Sequence, residues 1–138
     1  MAASTISAPA MAADLRYDGE SMLAAGSKGK PYWMLQAQCS GFFGATSGYM
    51  SEKGDTDAAD KAKVQGVAFF RDAVDRLVRD RKVSRSAAIE LVSRSVDAGR
   101  AQGLQNIRDG GIQPSSNWNV ARSVCLDVND AYKAVRNR

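Results

Sequence analysis

The chain has 138 residues, 44% of them hydrophobic and 25% charged, with a formal net charge of +4. That length suits one domain with its own packed core, and the composition is too apolar for disorder to be the default. There is no histidine and there are two cysteines, which excludes Ser-His-Asp and Cys-His catalysis, histidine-ligated haem and a four-thiolate metal site. No metal and no cofactor is therefore expected.

Residues 1–13, MAASTISAPAMAA, are small, apolar and uncharged. Ala8-Pro9-Ala10 and Ala10-Met11-Ala12 both fit the small-x-small pattern that precedes signal-peptidase cleavage. Polarity then switches at Asp14-Leu15-Arg16. A basic segment and a full apolar stretch are missing ahead of this pattern. The segment reads as the tail of a signal peptide, the alternative being a disordered Ala/Ser-rich N-terminus. Residues 14–138 form the single helical domain.

Asp18 is placed to cap a short helix over Gly19–Ala25, ended by Gly26. Pro31 then suits the first turn of a long helix to about Lys53. Its apolar positions Tyr32, Leu35, Cys39, Phe42, Thr46 and Tyr49 alternate steps of three and four, the signature of a buried stripe. Gly54 stops it and Asp55 or Thr56 caps the next helix. That second helix, about Asp57 to Lys82, is expected to bury Val64, Val67, Phe70, Val74, Leu77 and Val78. Ser84 caps a third helix over Arg85 to Arg108, with Ile89, Val92, Val96, Gly99, Gly103 and Ile107 in register. Two glycines on that stripe each lose about 1 kcal/mol of helix propensity relative to alanine, so a neighbouring helix is expected to approach closely there. Asp109-Gly110-Gly111 ends it. Ser115 or Ser116 opens the last helix, whose stripe is Trp118, Ala121, Cys125, Val128, Tyr132 and Val135.

Nothing reads as a strand. Four amphipathic segments with short turns predict an all-α, four-helix bundle, up-down-up-down in its simplest form, with a globular array at steeper crossing angles as the alternative. No apolar run approaches the ~18 residues of a membrane span.

Cys39 and Cys125 each hold the third position of the inward stripe on their helix. If the first and last helices are antiparallel neighbours, both cysteines come to similar height. A disulfide is expected to staple the two, the alternative being two buried free thiols. There is no C-x-x-C spacing to suggest redox activity.

Three further features are candidate contact sites. Arg76, Arg79, Arg81, Lys82 and Arg85 gather around the second turn, where they could meet an anion or an acidic partner, or simply form a solvated helix end. Lys133, Arg136 and Arg138 at the C-terminus read the same way. Gly41, Gly44 and Gly48, with Ser40 and Ser47, make one sector of the first helix small enough for a ligand groove or for close helix packing. Trp118 sits at the edge of the loop DGGIQPSSNWN and either contacts a ligand or lids the core.

No phosphate loop, dinucleotide fingerprint or nucleophile elbow is present. These readings favour an exported, periplasmic or secreted, non-catalytic protein that binds another protein, as an assembly or envelope accessory factor. Self-association is compatible with them. Basic residues are interleaved with acidic ones, which argues against nucleic acid as the partner. The runner-up is a small exported enzyme of chorismate-mutase type, for which Arg71, Glu90, Arg94, Arg100 and Gln102 supply the residue types. A cytosolic anion- or nucleic-acid-binding bundle is the third reading.

Overall fold

The computed structural model describes residues 30–135. The short helix expected over Gly19–Ala25 and the cleavage-like segment lie outside them. Within them the chain forms four helices, α1 (Tyr32–Glu52), α2 (Thr56–Arg81), α3 (Arg85–Gly110) and α4 (Asn117–Val135), and no strand.

Local chemistry sets each boundary. The Pro31 carbonyl accepts from the amides of Met34 and Leu35, which starts α1. Gly54, at φ +81°, turns the chain out of it. The Asp55 carboxylate accepts from the Ala58 amide at 3.1 Å and caps α2. Lys82 ends that helix in the left-handed conformation, φ 57°. Ser84 Oγ accepts from the Ala87 amide at 3.1 Å to open α3, and Gly111, at φ +67°, closes it. Ser116 Oγ accepts from the Asn119 amide at 3.2 Å at the head of α4.

Helix α1 is the centre of the molecule, with α2, α3 and α4 all packed on it. Its first four turns are buried on almost every side, Met34 and Gln38 being the partly exposed positions before Gly44. The expected stripe is buried from Tyr32 to Thr46 and partly exposed at Tyr49, but the buried surface of α1 is far wider than a stripe. One core cluster joins α1 to α2 and α4 through Tyr32, Cys39, Phe42, Phe43, Phe69 and Trp118. A second joins α1 to α2 and α3 through Trp33, Ala37, Val74, Leu77, Ala88 and Val92.

Helices α2 and α3 approach α1 through their small residues. A Cβ added to Gly66 of α2 would lie 3.2 Å from the Ser40 carbonyl oxygen, and Ser40 Oγ donates to the Gly66 carbonyl at 2.7 Å. Ser47 Oγ donates to the Ala59 carbonyl at 2.8 Å. On α3, a Cβ on Gly99 would run into the Gln38 carbonyl, and one on Gly41 of α1 into the Val96 carbonyl. Alanine and glycine therefore face the contact, and the larger residues expected there are displaced. Val64 and Val67 of α2 are 68% and 54% exposed, and Ile89 of α3 is 41% exposed. Ala59, Ala62, Gly66, Phe69 and Ala73 form the inner face of α2 instead. Close approach of the backbones outweighs the burial of those valines.

Helix α4 runs antiparallel to α1. Trp118 stacks on Phe42 at 6.1 Å, Cys39 and Cys125 form a disulfide with Cα atoms 5.6 Å apart, and Tyr32 meets Tyr132 edge-on at 5.6 Å. The expected staple and its register are present.

Candidate functional site

Two of the depressions that border α3 differ in chemistry. The first is a groove between α2 and α3 with α1 as its floor. The floor is Gly44, Ser47, Gly48 and Ser51, and the walls are Lys63, Val67 and Phe70 of α2 with Val96 and Arg100 of α3. It exists because α2 and α3 meet at their joined ends around Leu77 and Val92, while α1 surfaces at Gly48, where an added Cβ would meet nothing within 4 Å. The charged side chains lining it are Lys63 and Arg100.

On the other side of α3 lies a trough of about 390 Å³ between α1, α3 and α4. Its apolar wall includes Leu35, Phe42, Val124 and Val128 together with the Cys39–Cys125 bridge. Lys30 and Gln38 stand at one end, Lys30 Nζ donating to Gln38 Oε1 at 3.3 Å. Gln102 and Asn106 stand toward the other, Gln102 Nε2 donating to Asn106 Oδ1 at 3.0 Å.

The residues singled out in the sequence are distributed unevenly. Gly41 lies at the α1–α3 contact and opens onto neither depression, Gly44 and Gly48 belong to the groove, and Trp118 lies on the α4 side of α1. Trp118 Nε1 donates to Thr46 Oγ1 at 2.9 Å, and Thr46 in turn donates to the Phe42 carbonyl at 3.0 Å. The indole is thus fixed in the core between α1 and α4.

The basic turn is divided as well. Arg76 is 1% exposed. Its Nε donates to Asp80 Oδ2 at 2.8 Å, and its guanidinium lies 5.9 Å from the ring centres of both Tyr32 and Tyr132. Arg85 pairs with Asp75 at 2.9 Å on the surface. Arg79 and Lys82 are exposed and Arg81 is partly so. The carboxylates of α2 therefore occupy Arg76 and Arg85, and one of the five cations lies inside the protein. Of the mutase-like set, Arg100 lines the groove and Gln102 the trough, so those two do not share a site. Arg71, Glu90 and Arg94 are exposed.

No protein-family model, curated protein or solved structure matches the chain.

Around Arg76 the electrostatics are tight. Burial pushes the Tyr132 phenol above its ordinary range and Asp72 adds to the shift, while Arg76 and Arg79 oppose it. Among the described residues no cluster of His, Cys, Asp and Glu is arranged to hold a metal ion.

Sequence reasoning missed the burial of Arg76 and the polar ends of the trough. A signal for the first was available: Asp72, Arg76 and Asp80 recur every four residues, and position 76 continues the inner row Phe69–Ala73. Asn106 likewise follows Gly99 and Gly103 at helical spacing and is buried, where the expected stripe continued to Ile107, which is partly exposed.

Proposed function

We propose that this protein works outside the cytoplasm as a non-catalytic binding module, an up-down-up-down bundle centred on α1 that docks another protein as an assembly or envelope accessory factor. The observation that carries this reading is the Cys39–Cys125 bridge, buried at 5% exposure on both sides. Structural disulfides of this kind persist in oxidising compartments and are rare where thioredoxin and glutathione keep thiols reduced. No described helix is long and apolar enough to cross a membrane, which is compatible with a protein that acts on the far side of one.

The groove over Gly44 and Gly48 suits a partner helix. Its floor is glycine and serine, its walls offer Val67 and Phe70, and Lys63 and Arg100 flank it. Two grooves set face to face would bring like charges against like, and the favoured partner is an acidic, amphipathic segment.

The test is to recover the protein from its native host with free thiols blocked at lysis. Full Cys39–Cys125 oxidation is expected, together with a co-purifying partner that is lost in Gly48→Arg. Free thiols in the recovered protein would overturn the exported reading. An unchanged partner in Gly48→Arg would move docking elsewhere.

A further inference from the structure

The trough beside the disulfide carries a second inference, independent of partner docking because it lies on the opposite side of α3. We propose that it binds a free medium-chain carboxylate, the head group at Lys30 and the chain along the wall formed by Cys39 and Cys125.

The trough is held open by construction. Gly41 and Gly99 fix α3 against α1 at backbone contact, and the disulfide fixes α4 against α1. Neither flanking helix can move in to close the gap. Several of the residues that line it from those helices are short, Ala98 and Gly99 on α3 and Ala121 on α4. A preformed apolar site loses little ordering entropy when it is filled, and a volume of about 390 Å³ falls within the ~300–1,000 Å³ of small-molecule sites.

Shape and charge select the ligand. From Ala121 to Val128 the trough follows two turns of α4, about 10 Å at the helical rise of 1.5 Å per residue. A linear chain fits that length. Lys30 is the charged side chain that lines the trough, and no carboxylate accompanies it. Its ammonium has three donors, one of them directed at Gln38 Oε1. A single anionic head is thus matched at one end and an apolar chain along the rest. The Gln102–Asn106 amides mark the far end and set a limit on chain length.

The experiment is calorimetric titration of the oxidised full chain with decanoate, decanol and decylamine. Decanoate is expected to bind at one site, at least tenfold tighter than decanol, with decylamine weaker still. Lys30→Gln should lower decanoate affinity about tenfold and bring it level with decanol. Val124→Trp fills the trough from α4 and should abolish binding. Ala98→Phe fills it from α3 at an exposed position and does the same should the tryptophan variant fail to fold. Phosphatidylglycerol vesicles should neither bind the protein nor displace decanoate. Absence of saturable decanoate binding, equal binding of decanol, or full binding retained in a folded trough-filling variant would each overturn the assignment. So would vesicle binding that decanoate does not compete.

Discussion

Gly41 of α1 and Gly99 of α3 lie at one helix crossing, and each backbone occupies the space that a methyl group on the other helix would need. The crossing admits no side chain on either helix. Gly41→Ala and Gly99→Ala are each expected to lose about 3 kcal/mol, the upper end of overpacking penalties. Gly48→Ala makes the contrast, because open space surrounds that position and the helix gains up to about 1 kcal/mol. Urea denaturation of the three variants measures both signs.

The staple itself yields a second prediction. The bridge closes a loop across a sequence separation of 86, for which the chain-entropy relation gives about 4–5 kcal/mol. Cys39→Ala with Cys125→Ala should lower stability by up to that amount. Equilibrium unfolding of the double variant, compared with the wild type with and without reductant, reads it directly.

The four helices and their caps were legible because each is written locally. Asp55, Ser84 and Ser116 carry cap oxygens, and Gly54 and Gly111 supply positive φ. The cysteine register was legible for a related reason, since α4 presents one apolar face and α1 shares its spacing. What the pattern could not tell was how closely helices approach. A hydrophobic stripe assumes that large residues seek the interior, and so it put Val64, Val67 and Ile89 inside. At the contact distance set by Gly66 the two valines have no room and the alanine row of α2 goes in instead, while on α3 the buried row runs through Ala88 and Val92 and leaves Ile89 outside. Arg76 escaped notice because its burial depends on Tyr32 and Tyr132, residues brought beside it only by the fold. The two depressions were only partly legible, for both arise between helices.

Arg76 offers a third prediction. Removing a buried charge that is paired with Asp80 and flanked by two tyrosine rings should be expensive. Arg76→Ala is expected to lose about 3 kcal/mol or more. Arg76→Met keeps the apolar stem and much of the volume, and should lose less. If the two variants unfold at the same urea concentration, packing of the stem contributes nothing.

A fourth concerns alkaline pH. The Tyr132 phenol has its pKa raised in the folded protein, first by burial and then by Asp72. The folded state thus holds this proton more tightly than the unfolded chain. The contribution to stability is complete below the ordinary tyrosine value of about 10 and is lost as pH climbs above it. Wild-type stability should fall more steeply than that of Tyr132→Phe between about pH 9.5 and 11. Denaturant midpoints of the two proteins across that range supply the comparison, and parallel curves would remove Tyr132 as the cause.

The bridge between the first and last described helices also determines how the molecule bears a mechanical load. A pull applied at Lys30 and Val135 passes along the start of α1, across the sulfur–sulfur bond and out through the end of α4. The segment from Ser40 to Val124, with α2, α3 and the groove over Gly44 and Gly48, carries no tension while that bond is intact. Pulled at those two positions, the oxidised protein would lengthen by the two arms alone and keep the groove in shape, while the trough would lose Lys30, Leu35 and Val128 from its lining. Once reduced, the same pull would unravel the whole chain.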